Sequence, residues 1–181
     1  MKTSTNRAFL FVIAIAISAF FISESKVILA AETANYSMVE SAGILPTNPF
    51  YFVKKIGWNV RRLFTFNPVK RLDLELEIAD QNVAEIKKLE DINLDSNRSL
   101  EKAATNYEEN LERLRLTLEA TKTAGDNAEI EQIVIVLRER GLKHQELFSR
   151  LKDKHESLRG RLEEVQSRLE DVINEAPKIF N

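Results

Sequence analysis

Chemistry in this sequence would have to start from two histidines, His144 and His155, because the chain has no cysteine. That excludes disulfides, Cys-ligated zinc and thiol nucleophiles. Eleven residues apart on one helix, the two imidazoles would stand about 16 Å apart, whereas shared ligation needs a spacing of three or four. They read as polar residues at seam positions, where such residues set register. The stretch DINLDSNRSLEK (91–102) is the nearest approach to a calcium loop: Asp91, Asn93, Asp95, Asn97 and Ser99 alternate as in an EF-hand. Ser96 replaces the turn glycine, and Lys102 stands where a bidentate Glu belongs, with Glu101 one place early. It reads as a polar hairpin loop that caps the next helix. There is no Gly-rich phosphate loop and no histidine placed to activate a serine. No catalytic, cofactor-binding or metal-binding residue is expected, and the chain is not read as an enzyme.

A different kind of chemistry is offered by TNPFYFVKKIGWNVRRLFTFNPVKR (47–71), with six aromatic residues, six basic ones and no acid. On a helical wheel Phe50, Phe52, Val53, Ile56, Val60, Leu63 and Phe64 share about 160° of arc. So wide an apolar face is expected to dock onto a bundle. Tyr51, Lys54, Lys55, Trp58, Arg61 and Arg62 fall on the other side. Exposed, these six would suit a membrane or cell-wall surface, each cation adding about 1 kcal/mol near anionic lipid. Alternatively, the cations pair with acidic faces of the following helices.

The elements that hold these residues are helical. Asn48-Pro49 and Asn67-Pro68 are helix-start signals, Asn as cap and Pro at the first position. They bound a helix of roughly 49–65 and open a second at 68. The second carries Leu72, Leu76, Ala79, Val83 and Ile86 at steps of four and three; the third carries Leu100, Ala104, Tyr107, Leu111, Leu114, Leu118 and Thr121. The fourth, after Gly125-Asp126-Asn127, runs through Leu137, Gly141, His144, Phe148, Leu151, His155, Leu158, Leu162, Val165, Leu169 and Val172. This period predicts an all-α fold, an antiparallel helical bundle with coiled-coil-like packing and a long C-terminal helix. Unbroken over 127–176, that helix would span about 75 Å. Leu158, Leu162, Val165, Leu169 and Val172 would then form a bare stripe needing a partner or a fold-back. Self-association through 155–176 is the expectation, with Gly141 and Gly160 as candidate breaks.

Lys2 and Arg7 precede an apolar run over 8–22, and Ala30-Ala31 follow. Fifteen residues rise about 22 Å, short of a roughly 30 Å hydrocarbon core. The segment 1–31 therefore reads as a signal peptide, with an N-terminal membrane tether as the alternative. A linker over 32–47 and a helical domain over 48–181 follow. The expected location is extracytoplasmic: secreted, at the cell surface or membrane-tethered. Residues 41–72 carry six cations and no acid, although the whole chain has a net charge of −2. No nucleic-acid partner is expected. The functional expectation is an envelope-associated structural or protein-interaction module. The alternatives are membrane or cell-wall binding through the basic aromatic helix, or a chaperone-like coiled coil gripping through the fourth helix's stripe.

Two blocks carry a resemblance. Leu45-Pro46-x-x-Pro49-x-Tyr51-x-Val53-Lys54-Lys55 and Phe64-Thr65-Phe66-Asn67-Pro68-x-Lys70-Arg71, followed by Leu72, Leu76 and Ala79, resemble the exported bacterial and archaeal helical proteins catalogued as domain of unknown function 5667. The resemblance spans about 45–125. It implies an exported helical domain and transfers no functional residue. Asn67 stands where that pattern has Asp as often, and Trp58 is not part of it.

Overall fold

The computed structural model describes residues 42–92, 97–122 and 127–179. The expected signal peptide or tether, most of the expected linker and the centre of the calcium-like loop lie outside them. Asn67 caps its helix as the sequence predicts: its Oδ1 accepts from the amides of Val69 and Lys70 at 2.8 and 3.1 Å, with Pro68 at the first helical position. Asn48 acts one step removed. Its Oδ1 accepts from the Phe50 amide at 2.8 Å, closing a turn, and the helix starts at Tyr51. The turns before it are packed, with Ala42 and Pro46 buried. The expected linker thus gives way to folded chain from Ala42 on.

The described residues form five α-helices: α1 (Tyr51–Phe64), α2 (Pro68–Asp91), α3 (Asn97–Thr121), α4 (Asn127–Lys154) and α5 (Arg159–Glu175). No strand occurs among the described residues. Helices α2 and α3 form one hairpin and α4 and α5 another; α2 lies against α4, and α3 against α5, so the four close a ring. Every seam residue named above on α2 and α3 is buried, as are Leu137, His144, Phe148 and Leu151 of α4. The fold class is therefore all-α, as the period predicts.

The C-terminal region is helical as expected, but it is not one unbroken helix over 127–176. The chain leaves α4 at Lys154, His155 adopts φ −120° and ψ 78°, and a 3-10 turn over Glu156–Leu158 leads into α5. Neither candidate glycine is the break. Gly141 sits within α4 against side chains of α5: a Cβ there would stand 2.6 Å from Ile173 Cδ1. Gly160 has nothing within 4 Å of such a Cβ. The fold-back buries Leu158, Leu162, Val165, Leu169 and Val172 in the main core. The expected bare stripe is therefore covered by the chain itself, and the reason for self-association through 155–176, or for a chaperone grip there, is removed. Physically, covering five large apolar side chains at about 1.5–3 kcal/mol each outweighs the few helical hydrogen bonds lost at one break.

Candidate interaction surface

Helix α1 packs on the outside of α2 and reaches polar side chains of α3. The face it turns inward is its charged one. Arg62 forks onto Glu75 through Nε and NH2 at 2.7 and 2.8 Å, and Arg61 onto Glu77 at 2.9 and 2.8 Å. Such paired, charge-assisted contacts are the stronger kind. Lys54 Nζ lies 2.6 Å from Glu85 Oε1, donates to the Ala42 carbonyl at 2.7 Å, and stands 5.2 Å from the Trp58 ring centre. Tyr51 donates to Glu85 Oε2 at 2.8 Å and accepts from Asn106 Nδ2 at 3.2 Å. Trp58 Nε1 donates to Gln81, and its ring packs on Leu74 and Ile78. Lys55 donates to Asn106 Oδ1 at 3.0 Å.

These contacts decide between the two readings of the face that holds Tyr51, Lys54, Lys55, Trp58, Arg61 and Arg62: it is not a free basic aromatic surface. Tyr51 and Trp58 are only 4% and 7% exposed, and Lys54, Lys55, Arg61 and Arg62 all have acidic partners on α2 or α3. The alternative, internal pairing, is what the geometry holds. Glu75 and Glu85, 2% and 0% exposed, explain why. Covered by apolar side chains they would be buried charges without partners, at about 3–5 kcal/mol each. Each would offset roughly two large apolar side chains gained at about 1.5–3 kcal/mol. Asn110, donating to Glu75 Oε2 at 2.8 Å from α3, is neutral and would not replace the lost guanidinium. Burial raises the Glu85 carboxyl above its ordinary range, with Lys54 pulling the other way. Burial, reinforced by the Glu85 charge, holds the Tyr51 hydroxyl protonated.

The consequence is an inverted helix. Phe50, Phe52, Val53, Ile56, Val60, Leu63 and Phe64, expected to dock, are exposed instead, Leu63 at 69%. Phe66, just past the helix, is 84% exposed. Scattered surface apolar residues need no account, but a contiguous helical face of this kind marks an interaction site. At its C-terminal end the face meets a depression of about 290 Å³ lined by Phe66, Leu116, Arg71 and Arg113 among others.

A second polar cluster lies inside the ring. The Tyr107 hydroxyl is 2.9 Å from His144 Nδ1, His144 Nε2 is 3.1 Å from Asp80 Oδ1, and Arg140 holds the other Asp80 oxygen. Because the Asp80 carboxylate accepts, Nε2 carries a proton; in the neutral imidazole, Nδ1 is then the acceptor for the Tyr107 hydroxyl. Burial, then the Asp80 charge, raises the Tyr107 hydroxyl well above its usual range. All three residues are buried and bound to one another, so the cluster fixes the register of α2, α3 and α4. His144 is thus a seam residue, as its spacing predicts; its partners on two other helices carry no sequence signal. His155 sits at the α4–α5 break, far along the chain from that cluster. Among the described residues no group of His, Asp or Glu could hold a metal ion. No described helix is long and apolar enough to cross a membrane.

No curated protein and no solved structure matches the chain. One family does, over residues 43–172, well over half the chain and beyond the 45–125 of the two blocks: it is described as Domain of unknown function (DUF5667).

Proposed function

We propose a function for a chain that belongs to the family described as Domain of unknown function (DUF5667), a membership that names no activity. The chain is an exported, envelope-associated interaction module that acts by presenting a surface rather than by catalysis. One observation carries this reading: α1 is fixed to the bundle through its charges and turns a continuous apolar face outward. A helix held only to stabilise the fold would bury that face. Export rests on the positive start and apolar run of residues 1–31. The binding class rests on polar clusters whose charged members, among the described residues, pair with one another.

The absence of native cysteine allows one test of both parts. Leu63→Cys and, on α4, the exposed Ile135→Cys are expressed in the native host as separate variants. Intact cells are treated with a thiol reagent that does not cross the cytoplasmic membrane. Ile135→Cys should label, and Leu63→Cys should be protected in cells yet label once purified. Failure of both to label until the cytoplasmic membrane is opened would exclude export. Equal labelling of both in cells would exclude an occupied α1 face.

A further inference from the structure

We infer that the outward face of α1 is a docking site for a phospholipid surface, held by apolar insertion and not by attraction to anionic lipid. This rests on the reading of that face as the interaction site and names its partner. Three observations carry it.

The face is convex. Phe52, Val53, Ile56, Val60, Leu63 and Phe64 lie along one side of a 14-residue helix about 21 Å long. A protein partner needs shape to match; a fluid acyl boundary closes around a ridge of this kind, and amphipathic helices bury such faces about 5–10 Å deep.

The charges have been spent elsewhere. Surface-lying helices ordinarily use Lys and Arg on their polar side to meet headgroups. Here Lys54, Arg61 and Arg62 point to Glu85, Glu77 and Glu75. What remains near the face is local: at its C-terminal end Arg71 and Arg113 line the depression beside Phe66 and Leu116, together with the paired Arg62 and Glu75. Apolar and cationic groups meet there as acyl chain and phosphodiester meet in a lipid. Every phospholipid carries that phosphodiester, so zwitterionic lipid suffices.

The chain delivers the helix to a bilayer. The apolar run of residues 8–22 ends only twenty residues before residue 42. Fully extended, that spacing reaches about 70 Å, so α1 emerges from export within reach of the membrane while the run of residues 8–22 is still attached.

The test uses the full chain carrying Leu63→Cys, labelled with an environment-sensitive fluorophore, so that α1 is read independently of residues 8–22. Ile135→Cys labelled in the same way is the control. Added to phosphatidylcholine vesicles, the Leu63 label should brighten several-fold with a blue shift. Phosphatidylcholine–phosphatidylglycerol vesicles should give the same change, and high salt should not reverse it. The Ile135 label should not respond. Adding Ile56→Asp, at a position 54% exposed, should abolish the Leu63 response without shifting the unfolding midpoint. No response at Leu63, an equal response at Ile135, or a response confined to anionic vesicles and lost in salt would each overturn the proposal. If Leu63 is protected in cells but silent on vesicles, the interaction surface stands and its partner is a protein. If it is neither protected nor responsive, both readings fall.

Discussion

Glu75 and Glu85 are acids on α2, and the chain is rich in acids on helices; only their burial under α1 makes them decisive. Removing the Glu75 carboxylate leaves the Arg62 guanidinium and the Asn110 amide facing each other. Glu75→Ala should therefore cost about 3 kcal/mol in urea unfolding. Glu85 gives a pH dependence of defined sign. Its folded pKa lies above the ordinary 4.5 because burial penalises the carboxylate more than Lys54 rewards it. The stabilisation from protonating it is complete below that ordinary value and is lost as pH rises through the folded one. The stability difference between native chain and Glu85→Gln should show that loss; a difference that grows with pH above 4.5 would contradict the assignment. Glycine supplies a matched pair. Gly141→Ala meets Ile173 Cδ1 at 2.6 Å and should destabilise by about 1–3 kcal/mol despite better helix propensity. Gly160→Ala meets nothing within 4 Å and should stabilise by up to about 1 kcal/mol. Thermal melts of the two variants should move in opposite directions.

At the scale of elements, α1 shows what a helical wheel gives and what it omits. The wheel divides residues 50–66 into the same two faces that the structure contains. It does not say which one meets the bundle, because that depends on α2 and α3. Their contact surface holds Leu74 and Ile78 but also Glu75, Glu77, Glu85, Asn106 and Asn110, and the polar majority selects the basic side. Internal pairing of the cations and docking of the apolar face are mutually exclusive on one helix; weighed separately from sequence, both looked reasonable. Inversion makes a direct prediction. Phe52→Ser and Leu63→Ser should change stability by no more than about 0.5 kcal/mol, as surface substitutions do. Trp58→Ala, which empties the cluster with Leu74 and Ile78, should cost about 3 kcal/mol. Denaturant midpoints with the reverse order would sink the inversion. The α4–α5 break was illegible for another reason. The steps from Leu151 to His155 to Leu158 keep the four-three alternation through the turn, so the period runs on where the helix does not. No Gly or Pro marks the site, only the polar run Lys152 to Ser157.

Across the whole molecule, the fold-back turns a rod into a closed ring of four helices. Val165 and Leu169, which a straight helix would expose for self-association, reach the core with no exposure at all. Val165→Asp should consequently abolish cooperative unfolding of the chain, since it buries an unpaired charge. A variant that folds as well as the native chain and merely loses an oligomer would contradict the ring. Surface ion pairs reinforce the same closure, with Arg161 of α5 held by Glu108 of α3 and Arg168 beside it. Closing the ring also leaves α1 as the one described helix with a large apolar face uncovered.

The sequence by itself determined the helical class, the seams and the cap at Asn67-Pro68, because periodicity and capping are local: each depends on residues within one or two turns. It also determined that α1 has two unlike faces. Only the tertiary structure decided which face of α1 is wet, where the fourth helix turns, and that Tyr107, His144 and Asp80 meet. Those outcomes compare the cost of stranding a buried charge or a bare apolar stripe in alternative packings. That comparison involves residues from helices far apart in the chain, and no single stretch of sequence contains it.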